Sequence, residues 1–573
     1  MGTTAKELRT VSLVSWGSLV VTLLVTDKVG TDPVNVGKQL ALVSFAFALL
    51  PLIISKLRLT FKKANLLTIG IALFLGSTLV SVFTSKSPLE RGLYGAFGRN
   101  TGLLTYFAFI VFFLAAKEFS KNKSYEKLIH FFVVSGAINI FLSIASANGF
   151  EVFSWDNPNN FALGTFGNSN FIGAFMGILF TMMFVQLLGT LRKTKNLILI
   201  VIGLCLTGYV ILLSNALQGI LVAGIGVSVA LYFFLRSTIK FHFLSRLYLG
   251  SLFIGGLFGL MGILQKGPFS SFLYKPSVTF RGEYWKTGLN MWLDNPITGV
   301  GIDSYGQFYR TFRSIQSTVS PGMNVVTDAS HNVYIDILAG TGVVGVAGYL
   351  MVVFAVIVSA FKFIRTFKEF DATFYSLLLG WLGYQLQSIV SINQIGLTIW
   401  GWALGGAVIG YSRIRCGDSL QIEDELKQTQ VKSKANKEKS KDKSSEELLD
   451  PTTLIKVLAS FLIGFLIALP PFLSDARMRT FLAGKGTPEG FVELVKQWPK
   501  DASRINRAVV TLAQRDQILY AEELAAFGTT VFPNDYASWY ALYQISQDGT
   551  PMRQAYKAKL HQIDPFNPEY FQK

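Results

Sequence analysis

Long apolar runs recur along the whole chain and constrain its fold more than any other feature. A helix needs roughly 20 apolar residues to cross a hydrocarbon layer about 30 Å thick. About thirteen runs are long enough if their ends are taken as uncertain by a few residues. They lie near residues 11–26, 40–55, 66–83, 103–116, 128–147, 170–189, 197–213, 219–235, 247–265, 339–361, 373–391, 395–412 and 453–473. The sequence therefore predicts an all-α polytopic membrane protein of about 13 transmembrane helices.

Composition and charge placement agree with a membrane protein and argue against a nucleic-acid partner. Hydrophobic residues make up 51% of the 573 residues and charged residues only 15%, which is too apolar for an ordinary soluble protein. The formal net charge of +17 collects in alternate loops, which carry Lys6, Arg9, Lys56, Arg58, Lys62, Lys63, Lys117, Lys121, Lys123, Lys127, Arg192, Lys193, Lys195, Arg236, Lys240, Arg246, Lys362, Arg365 and Lys368. The positive-inside rule places these loops and the N-terminus in the cytoplasm, and an odd number of spans places the C-terminus outside.

Polar stretches between the apolar runs suggest how the chain is divided. The predicted parts are a membrane domain at 1–414 with a long outer loop at 266–330, a linker at 415–450, a final transmembrane helix at 451–473 and an extracytoplasmic domain at 474–573. The linker is rich in lysine, glutamate and serine, and such a segment cannot bury enough apolar surface to offset its chain entropy. We therefore expect it to be disordered and cytoplasmic.

A repeated pattern marks the last hundred residues. Pro499-Lys-Asp501, Pro533-Asn-Asp535 and Pro565-Phe-Asn567 recur at spacings of 34 and then 32 residues, with alanine and aromatic positions between them. This period resembles tetratricopeptide helical hairpins, in which each repeat is a pair of packed helices. The pattern predicts a small α-helical repeat domain that either stabilises the protein or binds a protein partner.

A histidine at the end of the long outer loop is the strongest candidate for chemistry. The imidazole of His331 has a near-neutral intrinsic pKa and can accept a proton while Asn332 or Asp328 fixes its ring. Permanent cations accompany it in the outer loops, and their planar donor forks suit phosphate oxygens. These cations are Arg99, Arg281, Arg310 and Arg313.

A base beside an anion clamp fits glycosyl transfer from a lipid-linked pyrophosphate sugar. The leaving group is already stable as an anion, so the enzyme needs cations to hold it more than it needs a general acid. A positioned base contributes roughly 10²- to 10⁴-fold toward activating a hydroxyl. We predict no metal and no other cofactor, because the outer-facing His, Cys, Asp and Glu residues are not spaced like metal ligands. The positions of Cys205 and Cys416 indicate neither a metal site nor a disulfide bond.

The residues around His331 carry a family resemblance. His331-Asn332 is followed after nine residues by Gly342-Val-Val-Gly345, which matches the pattern His-[Asn/Ser/Gln]-x9-Gly-x-x-Gly of O-antigen ligases. The wider likeness covers most of residues 60–412, including Gly95–Tyr106 and Asn295–Gly301. The chain resembles the O-antigen ligase and polymerase superfamily of bacterial membrane glycan ligases, polymerases and protein O-oligosaccharyltransferases.

The resemblance implies a fold, a reaction and a place in the cell. Members have an all-helical GT-C-like fold and move a glycan from undecaprenyl pyrophosphate to an acceptor hydroxyl on the outer side of the bacterial cytoplasmic membrane. By resemblance, Arg281 falls where the family keeps a pyrophosphate-binding arginine, and His331 falls on the proposed base. We expect attack at the anomeric carbon to invert its configuration.

One departure from the family pattern concerns the anion clamp. Many members carry a second arginine after a serine near the outer end of an earlier helix, whereas Ser214-Asn-Ala-Leu-Gln218 has none. Either Gln218 and Arg99 share that task or the second clamp is absent. Tyr284 and Trp285 either stack on the sugar or anchor the chain at the membrane interface.

Several alternatives remain open within and outside this family. The reaction could be ligation, polysaccharide polymerisation or protein O-glycosylation, so the acceptor could be a lipid, a glycan or a protein. A transporter of lipid-linked glycans is the alternative of another class, but it would favour ionisable groups at mid-membrane. The predicted partners are the lipid-linked donor, its acceptor, membrane lipids and a protein bound to the C-terminal repeats.

Overall fold

The computed structural model of the protein describes residues 5–85, 87–155, 157–190, 197–238, 242–274, 276–417 and 450–570. Every long regular element in these ranges is an α-helix, which confirms the predicted fold class. The helices are α1 Ala5–Leu23, α2 Asn35–Lys62, α3 Leu66–Thr84, α4 Leu89–Tyr94, α5 Leu103–Lys117, α6 Asn122–Ala147, α7 Ser169–Thr190, α8 Leu197–Leu213, α9 Leu217–Thr238, α10 His242–Ile263, α11 Ser270–Leu273, α12 Pro276–Asp294, α13 Tyr305–Phe312, α14 Ile315–Ser317, α15 Val333–Thr366, α16 Ala372–Val390, α17 Ile395–Arg415, α18 Pro451–Leu482, α19 Pro488–Lys496, α20 Ala502–Gln514, α21 Ile518–Val531, α22 Tyr536–Ile545 and α23 Pro551–Ile563.

Each predicted apolar run falls on one of these helices. Within the described residues, nine helices are long and apolar enough to cross a membrane, judged by length and composition. They are α2, α3, α6, α7, α9, α10, α15, α17 and α18, and α5 and α8 are shorter apolar helices. The structure is therefore that of a multi-pass membrane protein, while the figure of about 13 spans stays a prediction.

The helix bounds add detail to two of the predicted segments. The predicted outer loop at 266–330 contains the helices α11 to α14, so much of it is regular structure. The last apolar helix, α18, continues to Leu482, beyond the predicted end at residue 473. Most of the predicted linker, at 418–449, lies outside the described residues.

Small residues allow the membrane helices to pack closely. A Cβ added at Gly406 of α17 would lie 1.9 Å from the carbonyl oxygen of Phe113 on α5, and one at Gly348 of α15 would lie 2.8 Å from the carbonyl oxygen of Gly70 on α3. Such contacts leave no room for a side chain, as is usual where membrane helices associate through van der Waals packing. The apolar window of α17 is entirely buried, so this helix forms the centre of the bundle.

The C-terminal helices α19 to α23 have a hydrophobic core of their own, formed by residues such as Phe491, Ile505 and Leu524. The recurring motif marks helix starts there, because the carboxylate of Asp501 accepts hydrogen bonds from the amides of Ser503 and Arg504 at the start of α20. Side-chain oxygens commonly cap helices in this way. The helical character of this part agrees with the prediction, whereas the tetratricopeptide resemblance stays a prediction.

The C-terminal helices are fastened to the outer segment by a buried ion pair. The carboxylate of Asp564 accepts hydrogen bonds from Arg313 Nη2 at 2.7 Å and from Arg310 Nη1 at 2.7 Å. The side chains of Asp564 and Arg313 are both fully buried. Removing one partner of a buried pair leaves an uncompensated charge away from water, which is strongly destabilising.

We therefore expect Asp564→Asn to destabilise the docked C-terminal helices by about 3–5 kcal/mol. Limited proteolysis of the purified protein, followed over a denaturant series, would measure this as earlier cleavage between α18 and α23. The matched control is Asp548→Asn, since Asp548 is highly exposed and pairs with Arg553 at the surface, where such pairs contribute little. Equal protease resistance of D564N and the wild type would contradict the role of the buried pair.

Candidate active site

His331 occupies a strained position immediately before the long helix α15. Its φ of 58° lies in the left-handed region, which residues other than glycine seldom adopt and which often marks functional positions. The flanking residues hold this conformation. Ser330 Oγ accepts from the amide of Asn332 at 3.2 Å and donates to its carbonyl at 2.9 Å, while the amide of Ser330 donates to Asp336 Oδ1 at 2.7 Å.

The imidazole ring is oriented by an aromatic neighbour. The ring of Tyr284, on α12, stacks on His331 with centroids 5.6 Å apart and an interplanar angle of 28°. Within the described part of the chain, no side chain forms a hydrogen bond with the His331 ring. The expectation that Asn332 or Asp328 fixes the ring is therefore wrong, and Tyr284 takes that place.

The surroundings of His331 keep its imidazole neutral. Burial, together with the positive charges of Arg281 and Arg99, lowers the pKa of His331 to about 4, and Asp328 opposes this shift. A neutral ring has a nitrogen lone pair free to accept a proton at physiological pH. The site therefore presents a base that is unprotonated before any substrate arrives.

Arg281 lies one helical turn before Tyr284 on α12, and its charge acts on both Tyr284 and His331. Burial lowers the pKa of the Arg281 guanidinium, although a group with so high an intrinsic pKa stays charged. Among the residues that the structure describes, it has no hydrogen-bond or ion-pair partner. Its donor fork is therefore available for an anion beside the imidazole.

Arg99 approaches the same site from the loop between α4 and α5. Its Nε and Nη2 donate to the two carboxylate oxygens of Asp328 at 2.8 and 2.7 Å, and this pairing lowers the pKa of Asp328 despite burial. The loop is held by Asp303, whose Oδ2 accepts from the amides of Ala96 at 2.8 Å and Thr101 at 3.0 Å. Arg99 is therefore fixed near His331 but already has a counterion.

The helix α15 is interrupted next to this site, at the first glycine of the motif. Gly342 has a φ of 69° within α15, and a Cβ there would lie 2.1 Å from the carbonyl oxygen of Ile297. The amide of Val343 donates to the carbonyl of Pro296 at 2.8 Å, and that of Val300 donates to Ala339 at 2.8 Å. The segment that follows α12 is thereby bound to α15, which fixes the helix bearing Arg281 relative to His331.

A narrow cavity of about 30 Å³ lies beside Arg99 and Asp328. Asp303, Asp336 and Asn393 also line it. This volume holds one or two water molecules at most. A much larger cavity, of about 540 Å³, lies between α13 and the C-terminal helices and includes Gly306, which packs against Asp328.

One family model matches the chain, and its description is O-antigen ligase. It covers residues 201–350 and therefore contains Arg281, His331 and both glycines of the motif. The chain carries a domain of the O-antigen ligase and polymerase superfamily. The predicted family is confirmed, and no curated protein is significantly similar to the chain.

The structure gives two of the predicted substrate-binding arginines a partner in the C-terminal helices. Arg310 and Arg313 are held by Asp564, and Arg313 Nη1 also donates to the carbonyl of Met323 at 2.8 Å. The Arg313 guanidinium is fully buried and its donors are taken, so it cannot bind a phosphate. The assignment of Arg313 to substrate binding is therefore corrected, because Arg313 attaches the C-terminal helices to the segment before His331. Arg310 donates to the same carboxylate through Nη1 and also lines the large cavity.

Two further residues that the sequence predicts to bind substrate form hydrogen bonds within the protein. The side chain of Asn332 caps α15 by accepting from the amides of Tyr334 at 3.0 Å and Ile335 at 3.1 Å. The amide group of Gln218 donates to the carbonyl of Asn170 and so joins α9 to the start of α7. Among the described residues, neither side chain has a hydrogen bond to His331, Arg281 or Arg99, and Gln218 and Arg99 are held by different partners.

Sequence reasoning missed three residues that shape the site of the ligase domain. Tyr284 was weighed only against sugar or interface contacts, Asp303 was passed over although it follows the glycine-rich Asn295–Gly301 segment, and Asp336 was not considered. The acidic residue in the first turn of α15 was the available signal for Asp336, since an acid at that position is favoured at a helix start.

Proposed function

We propose that the protein transfers a glycan from undecaprenyl pyrophosphate to an acceptor hydroxyl on the outer side of the bacterial cytoplasmic membrane, without a metal and with inversion at the anomeric carbon. One observation carries the proposal. Within an O-antigen ligase domain, a neutral imidazole and a guanidinium that has no partner among the described residues act on the same tyrosine, Tyr284. This is the pair of groups that glycosyl transfer from a pyrophosphate requires.

The proposed reaction begins with the pyrophosphate held by Arg281. Its two parallel N–H donors match phosphate oxygens in direction and charge. The acceptor oxygen attacks the anomeric carbon while its proton passes to His331, and the bond between that carbon and the phosphate oxygen breaks. The leaving undecaprenyl pyrophosphate keeps the bonding electron pair, and Arg281 stabilises the negative charge that develops on its phosphate oxygens.

Donor binding would also strengthen the base. Two cations, Arg281 and Arg99, lower the pKa of His331, while Asp328 opposes them and Tyr284 covers one face of the ring. A bound pyrophosphate adds negative charge next to these arginines and so favours the protonated imidazole. The base is then weak in the free protein and stronger once its substrate is in place.

This coupling predicts a specific pH dependence. Protonation of His331 removes the base, so transfer is lost as the pH falls through its pKa. The acid limb of kcat/KM, which reports the free protein, should lie near pH 4, and the acid limb of kcat, which reports the donor complex, should lie at higher pH. Rate profiles with purified lipid-linked donor measure both limbs, and limbs that coincide would contradict the coupling.

The large cavity beside the site is the proposed binding place of the acceptor. It is lined mainly by apolar and aromatic side chains, including Tyr536 and Tyr540, and it reaches Gly306 next to Asp328. An acceptor seated there approaches His331 from the side of the C-terminal helices. Cavities of this size commonly bind an organic group through apolar walls and a few polar contacts.

Reconstitution decides the reaction and the acceptor together. The purified protein would be mixed with lipid-linked donor and, in separate reactions, with a lipid, a glycan or a peptide acceptor, and the products weighed by mass spectrometry. We expect one acceptor class to gain the glycan mass with release of undecaprenyl pyrophosphate. Recovery of intact donor in the opposite leaflet of a vesicle, with no glycosylated product, would instead support transport.

A further inference from the structure

A second charged site lies at the end of the bundle opposite His331. The helix α5 begins just after the Arg99 loop and ends at Lys117, and α17 begins beside Asn393 and ends past Arg413. Their far ends meet α2 around a pocket of about 190 Å³, which we call the Glu118 pocket. Its charged lining residues are Lys56, Lys63, Lys117, Glu118 and Arg413. The positive-inside pattern predicts that this end faces the cytoplasm.

The Glu118 pocket contains more positive than negative charge. The carboxylate of Glu118 lies 2.5 Å from Lys117 Nζ, 3.3 Å from Arg413 Nη1 and 4.0 Å from Lys56 Nζ. The Glu118 carboxylate is thus the counterion of three cations, and the Glu118 side chain is only 5% exposed. Excess charge is costly when it is withdrawn from water, so a pocket of this kind is stabilised by a further anion.

Among the described residues that line the pocket, Glu118 is the one acidic side chain. A further cation lies near the rim of the pocket, because Lys56 is close enough to Lys6 to contribute, after burial, to lowering the pKa of Lys6. Backbone carbonyls give partial compensation, because Lys56 Nζ donates to the carbonyl of Glu118 at 2.9 Å and Arg413 Nη2 donates to that of Lys117 at 3.1 Å. Carbonyl dipoles satisfy hydrogen bonds but leave the net charge unchanged.

The shape and chemistry of the pocket suit a phosphate group. Its volume is smaller than the roughly 300–1,000 Å³ of a drug-sized ligand site. Arginine and lysine side chains together bind phosphate oxygens well. Leu59 and Leu67 form part of the lining, which offers apolar contact to the ester side of a headgroup. Basic pockets between transmembrane helices on the cytoplasmic side are known to bind anionic lipid headgroups.

We propose that the Glu118 pocket binds a phosphate-bearing anion, carried either by the headgroup of an anionic phospholipid or by a soluble phosphate compound. The bound phosphate would complete the charge balance of Lys56, Lys117 and Arg413 and hold the ends of α2, α5 and α17 together. This site is separate from the His331 site and does not depend on the transfer reaction.

Native mass spectrometry of the full-length protein tests the lipid source. The protein would be exchanged into phosphatidylglycerol or phosphatidylcholine, and the lipid molecules retained after detergent removal counted. We expect phosphatidylglycerol to be retained preferentially, and Lys56→Gln to weaken that retention by about fivefold. The matched control is Lys368→Gln, which removes a cation from an exposed position at the same end of the bundle.

Inorganic phosphate tests the soluble source in thermal-shift measurements in an uncharged detergent. Stabilisation of the wild type that is lost in Lys56→Gln would support a soluble phosphate ligand, and lipid retention without phosphate stabilisation would support the headgroup. Arg413→Gln provides a second variant. If the Arg413→Gln protein does not fold, the Lys56→Gln result alone decides the test, since Lys56 is the most exposed of the three cations. The proposal is overturned if Lys56→Gln changes neither lipid retention nor the response to phosphate.

Discussion

Replacing His331 by alanine should reduce glycan transfer by about 10²- to 10⁴-fold, the contribution expected of a positioned general base. The variant removes the imidazole, and because alanine also has a Cβ, the left-handed backbone conformation at this position stays unfavourable. Donor affinity should change little, because the pyrophosphate is held by Arg281. Single-turnover assays with purified lipid-linked donor measure the chemical step, and filter binding of the donor measures affinity.

A second histidine provides the matched control for that variant. His130 is exposed on α6 and its ring contacts the carbonyl of Glu126, far along the chain from the ligase motif. His130→Ala should transfer glycan at the wild-type rate. If His331→Ala also retained wild-type turnover, the imidazole would have no part in the reaction.

Arg281→Lys should lower kcat/KM by about 10- to 100-fold, which corresponds to the loss of one or two hydrogen bonds to a charged group. Lysine keeps the positive charge but cannot reproduce two parallel donors. The remaining charge should keep the pKa of His331 below its ordinary value, so the acid limb of kcat/KM should move little. Steady-state kinetics over a range of donor concentration, repeated across pH, would separate these two effects.

Lys286→Gln is the control for the arginine variant. Lys286 lies on the same helix and is exposed, so this change removes a charge from α12 without altering the site. It should leave kcat/KM unchanged. A full loss in Arg281→Lys accompanied by an equal loss in Lys286→Gln would point to the stability of α12 and away from a specific grip on the pyrophosphate.

The glycines of the family motif act through the backbone. The break at Gly342 allows α15 to receive the segment that follows α12, with the carbonyl of Ile297 where a Cβ would otherwise be. Gly345 and Gly348 then let α15 approach Ser77 and Phe74 of α3. Gly345 and Gly348 therefore serve close helix packing, while Gly342 joins the segment after α12, the helix of Arg281, to α15, which follows His331.

Local patterns in the sequence predicted the helices well. Apolar runs are a property of consecutive residues, so the run at 395–412 was enough to predict α17, which spans Ile395–Arg415. The spacing from His331 to Gly345 is also local, and it directed attention to the site. The capping role of Asn332 could have been predicted too, since asparagine before an apolar helix commonly caps it.

Long-range pairing could not be predicted in this way. In the sequence, Arg313 cannot be distinguished from a solvent-exposed loop cation, because its partner Asp564 lies 251 residues later in the chain. Asp328 similarly looked like a partner for His331, whereas a bidentate bond to Arg99 occupies both of its oxygens. Charges pair according to the folded geometry, and a single sequence does not show which opposite charge each arginine meets.

The central claim is that His331 and Arg281 act on one lipid-linked donor within a single site. A cryo-electron microscopy structure of the protein with bound undecaprenyl-pyrophosphate glycan tests this directly. We expect the pyrophosphate oxygens within hydrogen-bond distance of the Arg281 guanidinium and the anomeric carbon beside the His331 imidazole. A pyrophosphate bound at the opposite end of the bundle, or with neither side chain in contact, would contradict the account.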